Sequence, residues 1–329
     1  MMETTTLGQG GPVVSRAGLG LMGMSGIYGP ADDHESIATI HAALDAGITL
    51  LDTGDFYGMG DNELLLARVL REVPRESVFI QVKFGGMRDP RGMFIGHDAR
   101  PAAVKNFLAY SLTRLGTGYI DLYQPARLDP AVPIEDTVGA IGEMIDAGYV
   151  RYLGLSEVGP ETIRRAHAVR PVAELQIEYS LMSRGIEAEI LPTVRELGIS
   201  VTAYGILSRG LLSRDTARLA DGDPRARFPR FQQGNLQRNL TLLDALEAIG
   251  KDHGLTAAQL AIAWVAAQGE DIIPLIGTKR RSRLAEALAA LDVTLSAGEL
   301  AAITAAVPAD QVAGDRYDAP QMRALDSER

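Results

Sequence analysis

The chain of 329 residues has a formal net charge of −10, 46% hydrophobic residues and no cysteine. This composition is typical of a folded globular protein, and one α/β barrel domain can reach this length. The lack of cysteine excludes disulfides, thiolate metal ligands and a cysteine nucleophile, and it favours a reducing compartment such as the cytoplasm. The acidic balance opposes nucleic-acid binding, and the most apolar stretch is too short to span a membrane, so we expect neither partner.

Short apolar runs recur along the chain, and helical stretches that end in glycine lie between them. Strands that alternate with helices favour a parallel sheet, and eight runs favour its closure into a (β/α)8 TIM barrel over residues 1–329 as one domain. The runs cover residues 18–22, 48–52, 77–84, 119–124, 150–156, 173–179, 200–206 and 271–277. The helical stretches include residues 34–47, 102–116, 137–148 and 187–198.

A doubly wound Rossmann sheet is the alternative architecture. It requires a GxGxxG motif that follows the first strand and opens a helix. The sequence GLGLMG at 18–23 instead leads into SGIYGPADD, which has the composition of a loop. The irregular stretch 213–235 is too long and too polar for a simple connection, and we interpret it as a functional loop.

Three residues stand where a barrel carries its reactive side chains, at the carboxyl ends of strands. Asp52 ends one apolar run, Tyr57 follows five residues later, and Lys83 lies near the end of the next run. We expect all three to face one mouth, where Lys83 paired with Asp52 lowers the pKa of Tyr57 and makes the phenol a proton donor. The alternative is a helix-capping aspartate, a turn tyrosine and a lysine with its amine in solvent.

Seven motifs, in this order, resemble the aldo-keto reductase family. They read GLGLMGMSGIYG, LDTGDFYGMGDNE, VKFGG, SLTRLGTGYIDLY, GYVRYLGLSEVG, LQIEYSLMSR and IGTKRRSRLAE, and they extend from Gly18 to Glu286. The resemblance implies a (β/α)8 barrel that binds NADPH without a Rossmann fold. It also implies reduction of a small-molecule carbonyl substrate by hydride transfer, with Asp52, Tyr57 and Lys83 as the catalytic residues.

The resemblance further implies a set of cofactor contacts. Ser156 and Gln176 would hold the nicotinamide carboxamide, and Tyr204 would stack on the ring, although strand-end caps and a core aromatic have the same spacing. The remaining contacts would be Gly20, Met22, Leu207, Lys279, Arg280, Arg283 and Glu286. Four cations within residues 279–283 indicate an anion such as a 2′-phosphate at a helix N-terminus, or else a solvated basic face. Ala287 stands where the family commonly has an asparagine that contacts adenine.

One departure concerns the histidine that usually completes the catalytic set, because the aligned residue is Ala126. Gln124 would project to the same side if the strand continues through Pro125, and it is a possible substitute hydrogen-bond donor. The sequence ARLDP, together with Glu157, resembles the pyridoxal reductase branch of the family. In the tail at 311–329, we expect partial order around Tyr317, which would contact the substrate.

Two other functions remain open. The loss of histidine at Ala126 also suits a non-catalytic or slow-turnover NADPH-binding module with the same fold. A metal-dependent barrel hydrolase is the third possibility, but the histidines form no HxH pair, and we therefore expect no metal. They are His34, His41, His97, His167 and His253.

Overall fold

The computed structural model describes residues 2–214, 216, 219, 221–232 and 234–329. Its strands are β1 (Thr4–Thr6), β2 (Val13–Ser15), β3 (Gly18–Gly20), β4 (Leu50–Gly54), β5 (Phe79–Phe84), β6 (Gly86–Arg88), β7 (Phe94–His97), β8 (Ile120–Pro125), β9 (Val150–Ser156), β10 (Val172–Glu178), β11 (Ser200–Tyr204) and β12 (Ile272–Gly277). Its helices are α1 (Asp33–Asp45), α2 (Asp61–Leu70), α3 (Pro101–Leu115), α4 (Ile134–Asp146), α5 (Pro160–Val169), α6 (Ile190–Glu196), α7 (Asn235–His253), α8 (Ala257–Ala266), α9 (Arg281–Leu291), α10 (Ala297–Ala306) and α11 (Ala319–Ala324).

The eight apolar runs form one closed barrel, which confirms the predicted (β/α)8 fold. Its strands follow one another in the cyclic order β3, β4, β5, β8, β9, β10, β11, β12. Neighbouring strands are parallel throughout, as in the pairing of Leu51 with Ile80 between β4 and β5. All their carboxyl ends therefore meet at one mouth. Within the described part of the chain, no helix is both long and apolar enough to cross a membrane.

The helix ends follow local chemistry. Gly116 ends α3 with φ of 66°, a left-handed conformation that glycine adopts without strain. The predicted helix at 187–198 begins later than expected, at Ile190. Pro192 has no amide hydrogen to donate, so it is tolerated only within the first turn of a helix, and this fixes the start of α6.

Two hairpins had no counterpart in the pattern of apolar runs. The antiparallel pair β1 and β2 lies at the amino end of the barrel. There Leu7 and Val14 pack against the barrel-lining side chains Leu50 and Leu122, all within 1% of full burial. The second hairpin, β6 and β7, follows β5 on the opposite side. The amino end of the barrel is thus closed by a hydrophobic plug, and the carboxyl ends of the strands form the mouth at the other end.

The two irregular segments differ in how far the structure describes them. Within 213–235, residues 215, 217, 218, 220 and 233 lie outside the described part, and short 3-10 helices occupy Pro224–Arg227 and Pro229–Phe231. The tail at 311–329 is described completely, and it contains α11. Its Tyr317 lies against Tyr204, which ends β11 at the mouth of the barrel.

Candidate active site

Asp52 and Lys83 form a buried ion pair at the mouth. They come from the adjacent strands β4 and β5, and the Lys83 Nζ lies 2.5 Å from the Asp52 Oδ1. Both side chains are at most 5% exposed. Burial lowers the pKa of Lys83, whereas Asp52 acts in the opposite direction and supplies the counter-charge that a buried ammonium requires.

Tyr57 lies beside this pair. It begins a 3-10 turn after β4, and the Lys83 Nζ is 5.3 Å from the centroid of its ring. The pKa of Tyr57 is nevertheless raised well above its ordinary value, first by burial and then by the charge of Asp52, while the charge of Arg127 acts to lower it. The predicted lowering of this pKa was therefore wrong for the protein without bound ligands. Since Asp52 neutralises Lys83, the ammonium cannot overcome the burial of the phenol.

A polar pocket wall continues from Asp52 to β9 and β10. The Gln176 Nε2 donates to the Asp52 Oδ1 over 2.7 Å. Gln176 is paired in register with Ser156, whose hydroxyl is buried without a hydrogen-bond partner among the described residues. An orphaned buried hydroxyl costs about 1–3 kcal/mol. A carboxamide bound here would satisfy it, so these residues fit the expected nicotinamide contact.

Below Asp52 and Lys83, a second polar layer crosses the barrel. Glu174 accepts a hydrogen bond from Gln81, and both side chains are fully buried. Burial raises the pKa of Glu174 to about 8. Sequence reasoning missed this layer, although a glutamate within the apolar run AELQIEY was a usable signal. The group is a neutral carboxyl at neutral pH.

The hydroxyl of Tyr204 has three hydrogen-bond partners, and it accepts from the Arg316 Nη1 over 3.4 Å. It donates to the Glu157 Oε1 over 2.6 Å, and it lies 3.0 Å from the hydroxyl of Tyr317. Tyr204 ends β11, so its ring stands at the mouth. These contacts fix the orientation of the ring that we expect to stack on the nicotinamide.

The C-terminal tail is anchored to Glu157. The guanidinium of Arg316 grips the Glu157 carboxylate through two hydrogen bonds of 2.7 and 2.5 Å, and Ser327 donates a third of 2.7 Å. Burial acts to raise the pKa of Glu157, but the bonds and charge of Arg316 lower it to about 2. Glu157 has a left-handed backbone with φ of 55°, which is strained for this residue type. We call this contact of Glu157 with Arg316 and Ser327 the tail latch.

The region of the missing histidine holds Gln124, Ala126 and Arg127. Strand β8 does continue through Pro125, and Gln124 is in register with Lys83. Both amide atoms of Gln124 are buried without a partner among the described residues. Ala126 is 2% exposed, and its amide donates to Phe84, which fixes the start of the loop that carries Arg127.

The basic segment 279–283 is partly occupied by the protein itself. The Lys279 Nζ donates to the carbonyls of Gly29 and Pro30 over 3.0 and 2.6 Å. Glu35 accepts from both the backbone and the guanidinium of Arg281, over 2.9 Å in each case. A carboxylate thus lies at the N-terminus of α9, where we expected a phosphate.

The other expected cofactor residues lie around this end of the mouth. Arg280 is exposed, whereas Arg283 is half-buried and donates to Glu286 over 2.8 Å. Gly20 ends β3 beside Gly277 of β12, and the half-buried Met22 begins a 3-10 turn immediately afterwards. Leu207, also half-buried, precedes the 3-10 helix after β11. Ala287 is buried in α9.

The chain is similar to known proteins over nearly its whole length. Residues 16–308 match the model of the Aldo/keto reductase family. A relative from Glycine max described as probable aldo-keto reductase 1 is 42% identical over 320 residues, which cover 96% of this chain and 92% of the relative.

Solved structures of other proteins share the fold. The glycerol dehydrogenase of Gluconobacter oxydans has a TM-score of 0.84 at 30% identity, over 98% of this chain and 96% of that one. An aldo-keto reductase of Bacillus halodurans, solved in its holo form, has a TM-score of 0.79 at 26% identity, over 94% of this chain and 97% of that one.

Proposed function

Because the chain belongs to the aldo/keto reductase family, we propose that it reduces an aldehyde or ketone to an alcohol with NADPH in the cytoplasm. The observation that carries the proposal is the buried pair of Asp52 and Lys83 beside the phenol of Tyr57. A buried ion pair contributes little to stability, since desolvation offsets most of its attraction. Its position beside a buried phenol at the mouth of a barrel suits proton transfer.

Tyr57 would act as the proton donor. NADPH, when bound, supplies a hydride to the carbonyl carbon. The phenol is protonated at neutral pH, and burial raises its pKa further, so Tyr57 can give its proton to the carbonyl oxygen as negative charge develops there. The phenolate that remains would be stabilised by Lys83, whose Nζ is 5.3 Å from the ring, and by the charge of Arg127.

The cofactor would lie across β9 to β12. Ser156 and Gln176 would bind the carboxamide, and Tyr204 would orient the ring. Arg283 and Arg280 are positioned at the start of α9, where the helix dipole favours a phosphate. We therefore favour NADPH over NADH, with the 2′-phosphate displacing the Glu35 carboxylate from Arg281.

A second candidate function is a non-catalytic NADPH-binding module. It is favoured by Ala126, whose methyl group cannot donate the hydrogen bond that a histidine would supply. The two candidates share the cofactor site and differ in turnover.

The first prediction separates these candidates through Tyr57→Phe, which keeps the ring and removes the acid. Reduction of a panel of aldehydes should fall by about two to four orders of magnitude, because general acid catalysis contributes about that much. Turnover is measured by the absorbance of reduced nicotinamide, and cofactor affinity by fluorescence titration as the control. Unchanged turnover in this variant would remove Tyr57 from the mechanism, while a wild type that binds NADPH and reduces nothing would favour the module.

A further inference from the structure

Arg127 differs from the other arginines that line the mouth in its lack of a carboxylate partner. Arg209 and Arg230 each lie 3.4 Å from Glu178, and Arg316 lies 2.5 Å from Glu157. Arg127 instead donates to the carbonyl of Ala126 over 2.6 Å and to the Tyr317 hydroxyl over 3.3 Å. Within the described residues, it forms no ion pair.

No neighbouring carboxylate among the described residues is free to neutralise the positive charge of Arg127. Glu157 is the carboxylate whose charge acts most strongly on it, but both oxygens of Glu157 are already held by Arg316. The side-chain group that hydrogen-bonds to Arg127 is the phenol of Tyr317, and the phenol of Tyr204 adjoins Tyr317. A half-buried guanidinium beside neutral hydroxyl groups forms an anion receptor, because both the N–H groups of the guanidinium and the O–H groups can donate hydrogen bonds to an anion.

The receptor lies beside the reacting centre. Arg127 follows Ala126 directly, and Gln124 on the same strand is in register with Lys83. The charge of Arg127 opposes the effects of burial and Asp52 on the pKa of Tyr57, which places the guanidinium within electrostatic reach of the phenol. An anionic group a few bonds from the substrate carbonyl would therefore meet Arg127 when the carbonyl meets Tyr57.

We infer that Arg127, together with the hydroxyl of Tyr317, binds a carboxylate carried by the carbonyl substrate, which makes acidic aldehydes or ketones the preferred class. The inference rests on the proposed reductase function. It assigns Arg127 to substrate selection, not to the carbonyl oxygen itself. Lysine at this position would retain the charge but lose the planar fork that grips a carboxylate.

The test compares each ring isomer of carboxybenzaldehyde with its methyl ester, which has a similar shape and no charge. For at least one isomer, the wild type should favour the acid by about tenfold or more in kcat/KM, as expected for one charge-assisted contact. Arg127→Met should lower the rate for the acid more than the rate for the ester and so abolish this preference, and Arg127→Lys should retain part of it. The matched control is Arg170→Met, which removes a half-buried arginine near the opposite end of the barrel.

Binding provides a second readout that does not depend on turnover. Benzoate should bind the NADP+-loaded wild type more tightly than benzamide in calorimetry, and Arg127→Met should equalise the two. Equal binding in the wild type would overturn the inference. An equal loss of kcat for acid and ester in a folded Arg127→Met variant would also overturn it, since Arg127 would then serve the carbonyl oxygen. Failure to reduce any aldehyde would instead count against the proposed function.

Discussion

The side-chain carboxyl group of Glu174 is buried inside the barrel, and its protonation makes the free energy of unfolding depend on pH. Burial raises its pKa from 4.5 to about 8, so the folded protein retains a proton that the unfolded chain has lost at neutral pH. The unfolded state therefore binds fewer protons between these two values. The contribution of Glu174 to the stability of the folded protein therefore declines as the pH rises through this interval.

The second prediction is that Glu174→Gln removes this dependence, because the amide can occupy the site without ionising. The midpoint of urea unfolding should fall less between about pH 6 and about pH 9 in the variant than in the wild type. The half-buried Glu135 lies on the surface helix α4, and its pKa is lowered by its bond to Arg165, so Glu135→Gln provides the control variant. Parallel pH profiles for the wild type and Glu174→Gln would contradict a protonated Glu174.

For Tyr57, the sequence predicted a lowered pKa, whereas the structure raises it. The spacing of Asp52, Tyr57 and Lys83 indicated that the three would meet, and the structure brings them together. The direction of the pKa shift depends on how deeply the phenol is buried, and that depth depends on distant residues that no local pattern contains. The sequence therefore predicted that the three side chains lie close together, but it could not predict the direction in which the pKa of Tyr57 shifts.

At the scale of elements, the barrel strands were predictable and the tail latch was not. Strands of a parallel barrel are covered on both sides and therefore appear as continuous apolar runs. Strands β1 and β2 contain only three residues each and lack such a run. The latch joins Glu157 to Arg316 across 159 positions, a separation that no periodic pattern records.

The third prediction concerns the tail latch. Arg316→Met should release the tail, because the substitution leaves the buried Glu157 without its partner. Chymotrypsin should then cleave the tail near Tyr317 faster than in the wild type, while the barrel stays intact. Mass spectrometry identifies the cut, and the exposed Arg323→Met is the control. Unaltered cleavage in Arg316→Met would show that other contacts hold the tail.

The latch should also respond to acid. The pKa of Glu157 is lowered from 4.5 to about 2, so its stabilising contribution is complete above the former value and disappears as the pH falls through the latter. Hydrogen exchange in the tail, corrected for the intrinsic effect of pH, should report this loss.

The fourth prediction concerns α9 and α1, which together form the proposed phosphate site. Arg283→Met should weaken NADPH binding about ten- to hundredfold and NADH binding much less, since one charge-assisted hydrogen bond contributes about 1.5–3 kcal/mol. Glu35→Gln should strengthen NADPH binding, because it frees Arg281 and removes a competing carboxylate. Fluorescence titrations with both cofactors measure these effects, and an equal change for NADPH and NADH would refute the assignment.

At the scale of the whole molecule, the two ends of the barrel have different proposed roles. The plug formed by β1 and β2 would stabilise the fold, and the mouth would carry the reaction. In α/β barrels the amino end generally serves stability and the carboxyl end carries the reaction. Leu7 is fully buried in the plug, whereas the proposed catalytic residues lie at the other end. We propose that residues 1–329 act as one domain in which these two ends can be altered separately.

The fifth prediction tests that separation. Leu7→Ala should reduce the free energy of unfolding by about 2–5 kcal/mol, the range for truncating a buried leucine, while kcat per folded molecule remains unchanged. Val13 on the same hairpin is 69% exposed, so Val13→Ala is the matched control with little expected effect. Chemical denaturation and steady-state kinetics provide the two readouts, and a loss of kcat in folded Leu7→Ala would argue against independent ends.

The plug also has a consequence for the proposed reaction. With the amino end sealed by Leu7 and Val14, the cofactor's nicotinamide and the substrate must enter and leave through the same mouth. Ser156 and Gln176, the proposed nicotinamide contacts, belong to the strands, whereas Arg127 and Tyr317 lie on segments beyond the strand ends. We therefore propose that a cofactor seated on the strands is covered by the substrate, which binds after it. The oxidised cofactor should compete with NADPH in inhibition kinetics, and the alcohol product should depart before the oxidised cofactor does.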